Sequence, residues 1–443
     1  MHLHHSLTTL IASAVLATCS LISHSNSNLE VETSSGILHG FVNSSAPGVR
    51  QFLGIPFALP PTGNRRWQPP SQLKSGTHFN ASNIGPACAQ QPLSTTPMLY
   101  AYAPYGGGRT EFFPLEHDFS EDCLTLNIWT PRASNKPLPV FVWFFGGRFI
   151  QGGTSSLYFN PQSWVDRTQE HIVVTVNFRS NIFGFPNADG LDDQNLGLLD
   201  QRLSLEWVRD NIANFGGDPS KIMGWGQSGG AIALDYLNFA YPEDPIISGM
   251  ILESGNALFS PATAQSFDTA HANFSAVAIA FGCGTTALSQ INCLKNVTWQ
   301  DIQSAIVKLN LTTSFLPIVD ERLVFSSYLK RYGVSAYSSV PAIIGSNKHE
   351  TNALLPPVSG GRSNETYTEA DTVTNTTFLC TAAMAAQLRE KGGRTTYRYR
   401  YDGNFPNISP PNYRGAYHAA ELPLIFGTAG DYHGASTSYE IVC

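Results

Sequence analysis

The segment Ile222-Met223-Gly224-Trp225-Gly226-Gln227-Ser228-Gly229-Gly230 constrains the fold of this chain more than any other. A short apolar run enters it, and a second apolar run, Ala231 to Leu237, leaves it. Gly-x-Ser-x-Gly between a strand and a helix is the sequence form of a nucleophile elbow. A serine hydroxyl is a weak nucleophile and must stand at an exposed apex within reach of a base. Side chains two residues to either side would collide with the neighbouring strand and helix, and Gly226 and Gly230 remove them. Such a short pattern also arises by chance in a chain with 38 glycines. Its weight therefore depends on its neighbours.

Those neighbours read as an α/β protein. Leu138 to Phe145, His171 to Phe178, Ile222 to Trp225, Gly249 to Leu252 and Val340 to Ile344 are apolar, β-branched runs of buried-strand type. Leu203, Trp207, Val208, Ile212 and Phe215 recur at helical spacing and stop at Gly216-Gly217-Asp218-Pro219. The alternation predicts one mostly parallel sheet covered by helices. With 42% hydrophobic and 13% charged residues the chain can build a large core. No Pro/Ser-rich linker divides it, so residues 26–443 are expected to form one domain with long insertions.

The net charge of −7 is spread along the chain, with no Lys/Arg cluster to suggest nucleic acid or an anionic membrane. Leu7 to Ile22 is apolar and uncharged and runs into a polar stretch, which predicts a secretory leader over about residues 1–25. No later apolar run reaches membrane-spanning length. Eight Asn-x-Ser/Thr sequons, at Asn43, Asn80, Asn273, Asn296, Asn310, Asn364, Asn375 and Asn407, fit export, although Pro410 compromises the last. Cys19 falls in the leader. Six cysteines remain, at 88, 123, 283, 293, 380 and 443, a number that favours disulfides in a secreted chain. No spacing resembles a zinc site.

A serine nucleophile needs an oxyanion hole, a base and an orienting acid. The strand Leu138 to Phe145 runs straight into Gly146-Gly147-Arg148-Phe149, where backbone N–H groups can face a developing oxyanion. Gly229, after the nucleophile, supplies another. In chain order Ser, acid, His, the base falls on His418, and His433 sits in a Gly/Ser/Thr-rich tail. Glu350 follows a strand through the polar loop Gly345 to His349 and is the candidate acid, with Asp320 as its rival.

These residues, with three further blocks, resemble the type-B carboxylesterase/lipase family, which includes cholinesterases and fungal lipases. The blocks are Phe52-Leu53-Gly54-Ile55-Pro56-Phe57-Ala58, Glu121-Asp122-Cys123-Leu124-Thr125-Leu126-Asn127 and Asn195-Leu196-Gly197-Leu198-Leu199-Asp200-Gln201-Arg202. The likeness extends over roughly residues 29–427. It implies an α/β-hydrolase fold, a mostly parallel central sheet covered by helices on both faces. It also implies a Ser228–Glu350–His418 triad and an oxyanion hole from Gly147, Arg148 and Gly229. Ser254 and Gln227 fall among supporting positions, with Ser254 as a buried serine behind the acid. Arg66 with Glu121 and Arg179 with Asp200 match structural ion pairs. Disulfides are implied at Cys88–Cys123 and Cys283–Cys293. No cofactor or metal is implied, and the substrate is a small-molecule or lipid ester.

The chain departs from the family pattern at three places. Arg148 replaces the third glycine of the oxyanion run, so small or anionic acyl groups are expected. Lys348-His349-Glu350-Thr351 lacks the usual Asp before and Gly after the acid. The chain ends 25 residues after His418, where the family continues with terminal helices. The C-terminal part of the fold is thus expected to be missing and His418 loosely held, with Cys380 left without its family partner and Cys443 as a conceivable substitute. The loop between Cys88 and Cys123, the site rim or lid of the family, carries Tyr100, Tyr102, Tyr105 and Gly106 to Gly108 but no tryptophan. That disfavours a cholinesterase and leaves esterase, lipase or a non-catalytic module on the same fold.

Overall fold

The structure is a computed structural model that describes residues 29–91, 119–262, 268, 270–352, 354, 364–409, 415–431 and 434–438. The leader, the lid-like loop, His433 and Cys443 lie outside the described residues.

Among the described residues, nine strands form the central sheet. In chain order they are β1 (Phe41–Val42), β2 (Val49–Pro56), β3 (Thr125–Pro131), β4 (Leu138–Phe144), β5 (Ile172–Val176), β6 (Gly217–Gln227), β7 (Gly249–Glu253), β8 (Ala342–Asn347) and β9 (Thr396–Tyr401). Their spatial order is β9-β8-β7-β6-β4-β5-β3-β2-β1. The six strands from β9 to β5 run parallel, and β3, β2 and β1 extend the sheet antiparallel. A small second sheet joins Glu30–Thr33, Gly36–His39 and His78–Asn80.

The central strands are apolar because both faces are covered. Every residue of β5 is buried. The helices α1 (Leu196–Asn211) and α2 (Gly229–Ala240) are buried along most of their length. The periodic run from Leu203 to Phe215 is α1 plus a short 3₁₀ turn, and it stops where Gly216 takes φ 90°. Trp143 and Trp225 lie in register on β4 and β6 with ring centroids 4.3 Å apart. Phe426, on the short helix α3 (Leu422–Phe426), stacks on Trp225 at 4.8 Å. The segment just after His418 is therefore anchored to the middle of the sheet.

Several strand boundaries differ from the sequence reading. β6 begins at Gly217 rather than Ile222. β8 runs to Asn347, because the polar residues Gly345 to Asn347 pair with Tyr399 to Tyr401 of β9. A polar stretch that looks like loop is strand wherever a neighbour satisfies its backbone. The Arg66–Glu121 pair (2.5 Å) is formed, and the Arg179–Asp200 pair (2.7 Å) is formed and buried. The Cys88–Cys123 and Cys283–Cys293 disulfides are formed as well. Cys380 is a free, exposed thiol. Asn407 is buried and donates its side-chain amide to the Ala429 carbonyl, which closes that sequon to a glycan.

Candidate active site

The parallel strands bring their C-terminal ends to one edge, the usual ligand side of an open α/β sheet. β6 ends at Gln227 and α2 starts at Gly229, so Ser228 carries the whole reversal. Its φ of 54° and ψ of −124° are strained for a non-glycine residue. Two backbone bonds hold it there: its N–H donates to the Glu253 carbonyl at 2.8 Å, and its carbonyl accepts from Ile232 at 3.0 Å. The flanking glycines are required by close approach. A Cβ on Gly226 would lie 2.6 Å from the Gly230 carbonyl, and one on Gly230 would lie 2.0 Å from the Phe144 oxygen.

His418 and Glu350 meet from distant parts of the chain. His418 Nδ1 and Glu350 Oε2 are 2.6 Å apart, and the His418 amide donates to the Glu350 carbonyl at 3.2 Å. Glu350 is fully buried, and its Oε1 accepts from the Asn347 amide at 2.7 Å. With Nδ1–H given to the carboxylate, Nε2 is left as the acceptor. That atom lies 3.2 Å from the side-chain amide nitrogen of Gln227, which donates to it. Among the described residues no hydrogen bond joins Ser228 Oγ to His418. Ser228 and His418 instead line the same cavity. The expectation of a loosely held His418 does not match the structure. His418 is 3% exposed, Asn347 donates to the Tyr417 carbonyl at 2.7 Å, and Tyr417 Oη donates to Ile408 at 2.9 Å.

The glycine-rich turn after β4 faces the elbow. Gly147, Arg148 and Phe149 have φ values of 117°, 56° and 63°. The amides of Gly147 and Arg148 donate to no described residue. Gly229, as the first residue of α2, has no intrahelical acceptor for its N–H. A Cβ on Gly229 would lie 3.2 Å from the Arg148 nitrogen, so the turn and the helix start converge. The positive end of the α2 dipole adds to the field at that point.

Behind the acid lies a buried acidic cluster that sequence reasoning missed. Asn347 spans it, with its backbone N–H on Glu350 and its side-chain amide on Glu421 Oε2. Burial and the nearby Glu350 charge push the Glu421 carboxyl up to about 7. Glu253 is also buried, and burial followed by the charge of Glu421 holds its carboxyl well above the usual range. A Glu three residues past the base was the available signal. Ser254 is buried in this region, but its hydroxyl bonds to no described residue. It is Asn347 that bonds the acid, because β8 extends far enough to carry it there. Asp320 is part of a turn, with Oδ1 accepting from the amides of Arg322, Leu323 and Val324.

The cavity beside Ser228 holds about 260 Å³. Ile232, Phe259, Leu354, Val373 and Phe378 make its apolar wall, and Arg148 lines it too. Phe378 lies in a π-helical stretch, Thr374–Leu379, inserted between two α-helices, and its ring is 5.2 Å from that of His418. Such insertions turn side chains off the α-helical register and recur at functional sites. Among the described residues no group of three or more His, Cys, Asp or Glu could hold a metal ion.

Comparison with known proteins places this geometry in a family. The profile of the carboxylesterase family matches residues 27–372. The chain is 41% identical to chlorogenic acid esterase of Aspergillus niger, over 97% of this chain and 84% of that protein. It is 37% identical to secreted lipase 5 of Gibberella zeae, over 99% and 87% of the two chains. It is 32% identical to liver carboxylesterase 1 of Oryctolagus cuniculus, over 80% and 65%. The chain belongs to the carboxylesterase family of α/β-hydrolases and is a carboxylic ester hydrolase.

Proposed function

We propose that the chain is a secreted serine esterase acting through Ser228, His418 and Glu350. The observation that carries this reading is the buried Glu350–His418 pair at 2.6 Å opening onto the cavity that the strained Ser228 lines. Ser228 Oγ attacks the ester carbonyl as His418 Nε2 takes its proton. Nε2 exchanges the Gln227 amide for the serine hydroxyl when the substrate is in place. The oxyanion receives the N–H groups of Gly147, Arg148 and Gly229. Collapse breaks the carbonyl carbon–oxygen bond to the alcohol, which leaves with the proton from His418. Water then attacks the acyl-serine with His418 again as base, releasing the acid and restoring Ser228. Glu350 stabilises the imidazolium at each stage.

Export is supported by the apolar segment 7–22, by the two disulfides and by the secreted relative. No helix of the described residues is long and apolar enough to cross a membrane. Residues 26–443 then form the catalytic domain. A cavity of about 260 Å³ is small for a ligand pocket and suits a short acyl chain or one aromatic ring. Chlorogenic acid and short nitrophenyl esters are therefore expected to be cleaved faster than long-chain acylglycerols. A Ser228→Ala variant should lose activity on the order of 10⁶-fold. A fluorophosphonate should label Ser228 in the parent and nothing in the variant. Labelling of another serine, or activity that survives the change, would mean a different nucleophile. No activity on any ester would favour a non-catalytic module.

A further inference from the structure

Arg148 occupies a costly position. Its φ of 56° lies in the left-handed region, where glycine is the residue that fits without strain. Its guanidinium makes no ion pair or hydrogen bond with any described residue. The residue is exposed, and the desolvation that lowers its pKa still leaves a guanidinium charged throughout the working pH range. Among the described residues lining the cavity, Arg148 is the only formal charge other than the His418 base. The rest of the wall is apolar apart from Ser228, Gly229 and Thr377. Water solvates this exposed cation in the free enzyme, and a substrate that enters the cavity beside Ser228 displaces that water and meets the charge.

We propose that Arg148 makes this enzyme selective for esters that carry a free carboxylate, which the guanidinium pairs with in the bound substrate. The inference rests on the proposed serine esterase activity and names the substrate class of that site. A planar guanidinium pairs with a carboxylate through two parallel hydrogen bonds. Two substrate architectures present that group, the half-ester of a diacid and an ester whose alcohol part bears the acid. The apolar wall takes the neutral remainder in either case.

The test uses matched pairs of substrates. Mono-4-nitrophenyl glutarate against 4-nitrophenyl pentanoate places the charge on the acyl side. 4-Acetoxybenzoate against 4-acetoxybenzamide places it on the alcohol side. The quantity read is the ratio of kcat/KM, charged over neutral, within each pair. Reading a ratio matters because a change at position 148 can also move the backbone N–H assigned to the oxyanion. In the parent enzyme one pair should favour the charged member, and the ratio should fall as salt is raised. In Arg148→Gln that ratio should drop on the order of 10-fold, mainly through KM. The pair that responds identifies the side that carries the carboxylate.

If Arg148→Gln does not fold, the parent ratios and their salt dependence still decide. Neutral esters cleaved with ratios at or below one in both pairs would overturn the carboxylate assignment and leave the esterase reading intact. A ratio unchanged in Arg148→Gln would do the same. Loss of all ester cleavage in the parent would overturn both.

Discussion

At the residue scale, Glu350 and Asp320 show how two carboxylates of similar sequence context separate. Asp320 spends one oxygen on three amides of its own turn. Glu350 spends one oxygen on the Asn347 amide and offers the other to His418. Glu350→Gln keeps the shape but removes the charge that stabilises the imidazolium. Activity should fall on the order of 10³–10⁴-fold with little change in KM. Asp320→Asn should lower thermal stability more than it lowers kcat. A larger loss of kcat in Asp320→Asn than in Glu350→Gln would show that the acid has been misassigned. Ser254 carries a lesson at the same scale. Its burial was foreseeable, but its hydroxyl turns to no described partner, and Asn347 bonds the acid instead.

At the element scale, the elbow works because β6, α2 and the turn after β4 pack with no room between them. The Gly230 Cα faces the Phe144 carbonyl so closely that even a methyl group collides with backbone. Gly230→Ala must push β4 and α2 apart, at a cost of about 1–3 kcal/mol or more. The same displacement shifts the Gly147 and Arg148 amides relative to Ser228. Melting temperature and kcat should therefore fall together, with circular dichroism still reporting an α/β fold. An alanine variant with the parent's kcat would mean that the elbow tolerates the shift and that the oxyanion geometry does not depend on it. The π-helical stretch Thr374–Leu379 is the counterpart on the other wall, setting Phe378 against His418.

At the scale of the whole molecule, the buried acidic cluster ties stability to pH. Glu421 holds its proton up to about pH 7 in the folded state, against an ordinary value of 4.5. Between those values the folded state binds more protons than the unfolded state. This group's contribution to stability is therefore lost as pH rises through that window and is flat above it. Buried His171 acts in the opposite direction. Its pKa falls from 6.5 to about 4, so the unfolded state binds the extra proton there and stability rises with pH. The two effects overlap, and a substitution separates them. Glu421→Gln keeps a carbonyl oxygen for Asn347 and removes the titration. Denaturant midpoints of parent and variant, compared from pH 5 to 8, should diverge in favour of the variant as pH rises. Parallel curves would show that Glu421 does not titrate in this window.

Much of this architecture was legible because it is local. Strand–elbow–helix requires Gly226, Ser228 and Gly230 at fixed spacing, and the buried strands announce themselves as apolar runs. Chain order then pointed to His418 as base and left Glu350 and Asp320 as rival acids, of which the fold brings Glu350 into contact with His418. The strand ends were less legible, since Gly345 to Asn347 become strand only by pairing with β9. Three features were decided by tertiary structure alone. Gln227 engages His418 Nε2 because β6 ends directly beneath the base. Glu253 and Glu421 share one buried region because the C-terminal end of β7 packs beside the segment leading into α3. Arg148 stands without a described partner on the cavity wall because the elements around it contribute apolar side chains there. The sequence determined which residues could react, since chemistry is a property of residue type and local spacing. Which charges are buried together, and which remain unpaired, depends on contacts between residues far apart in the chain, and only the folded structure brings those together.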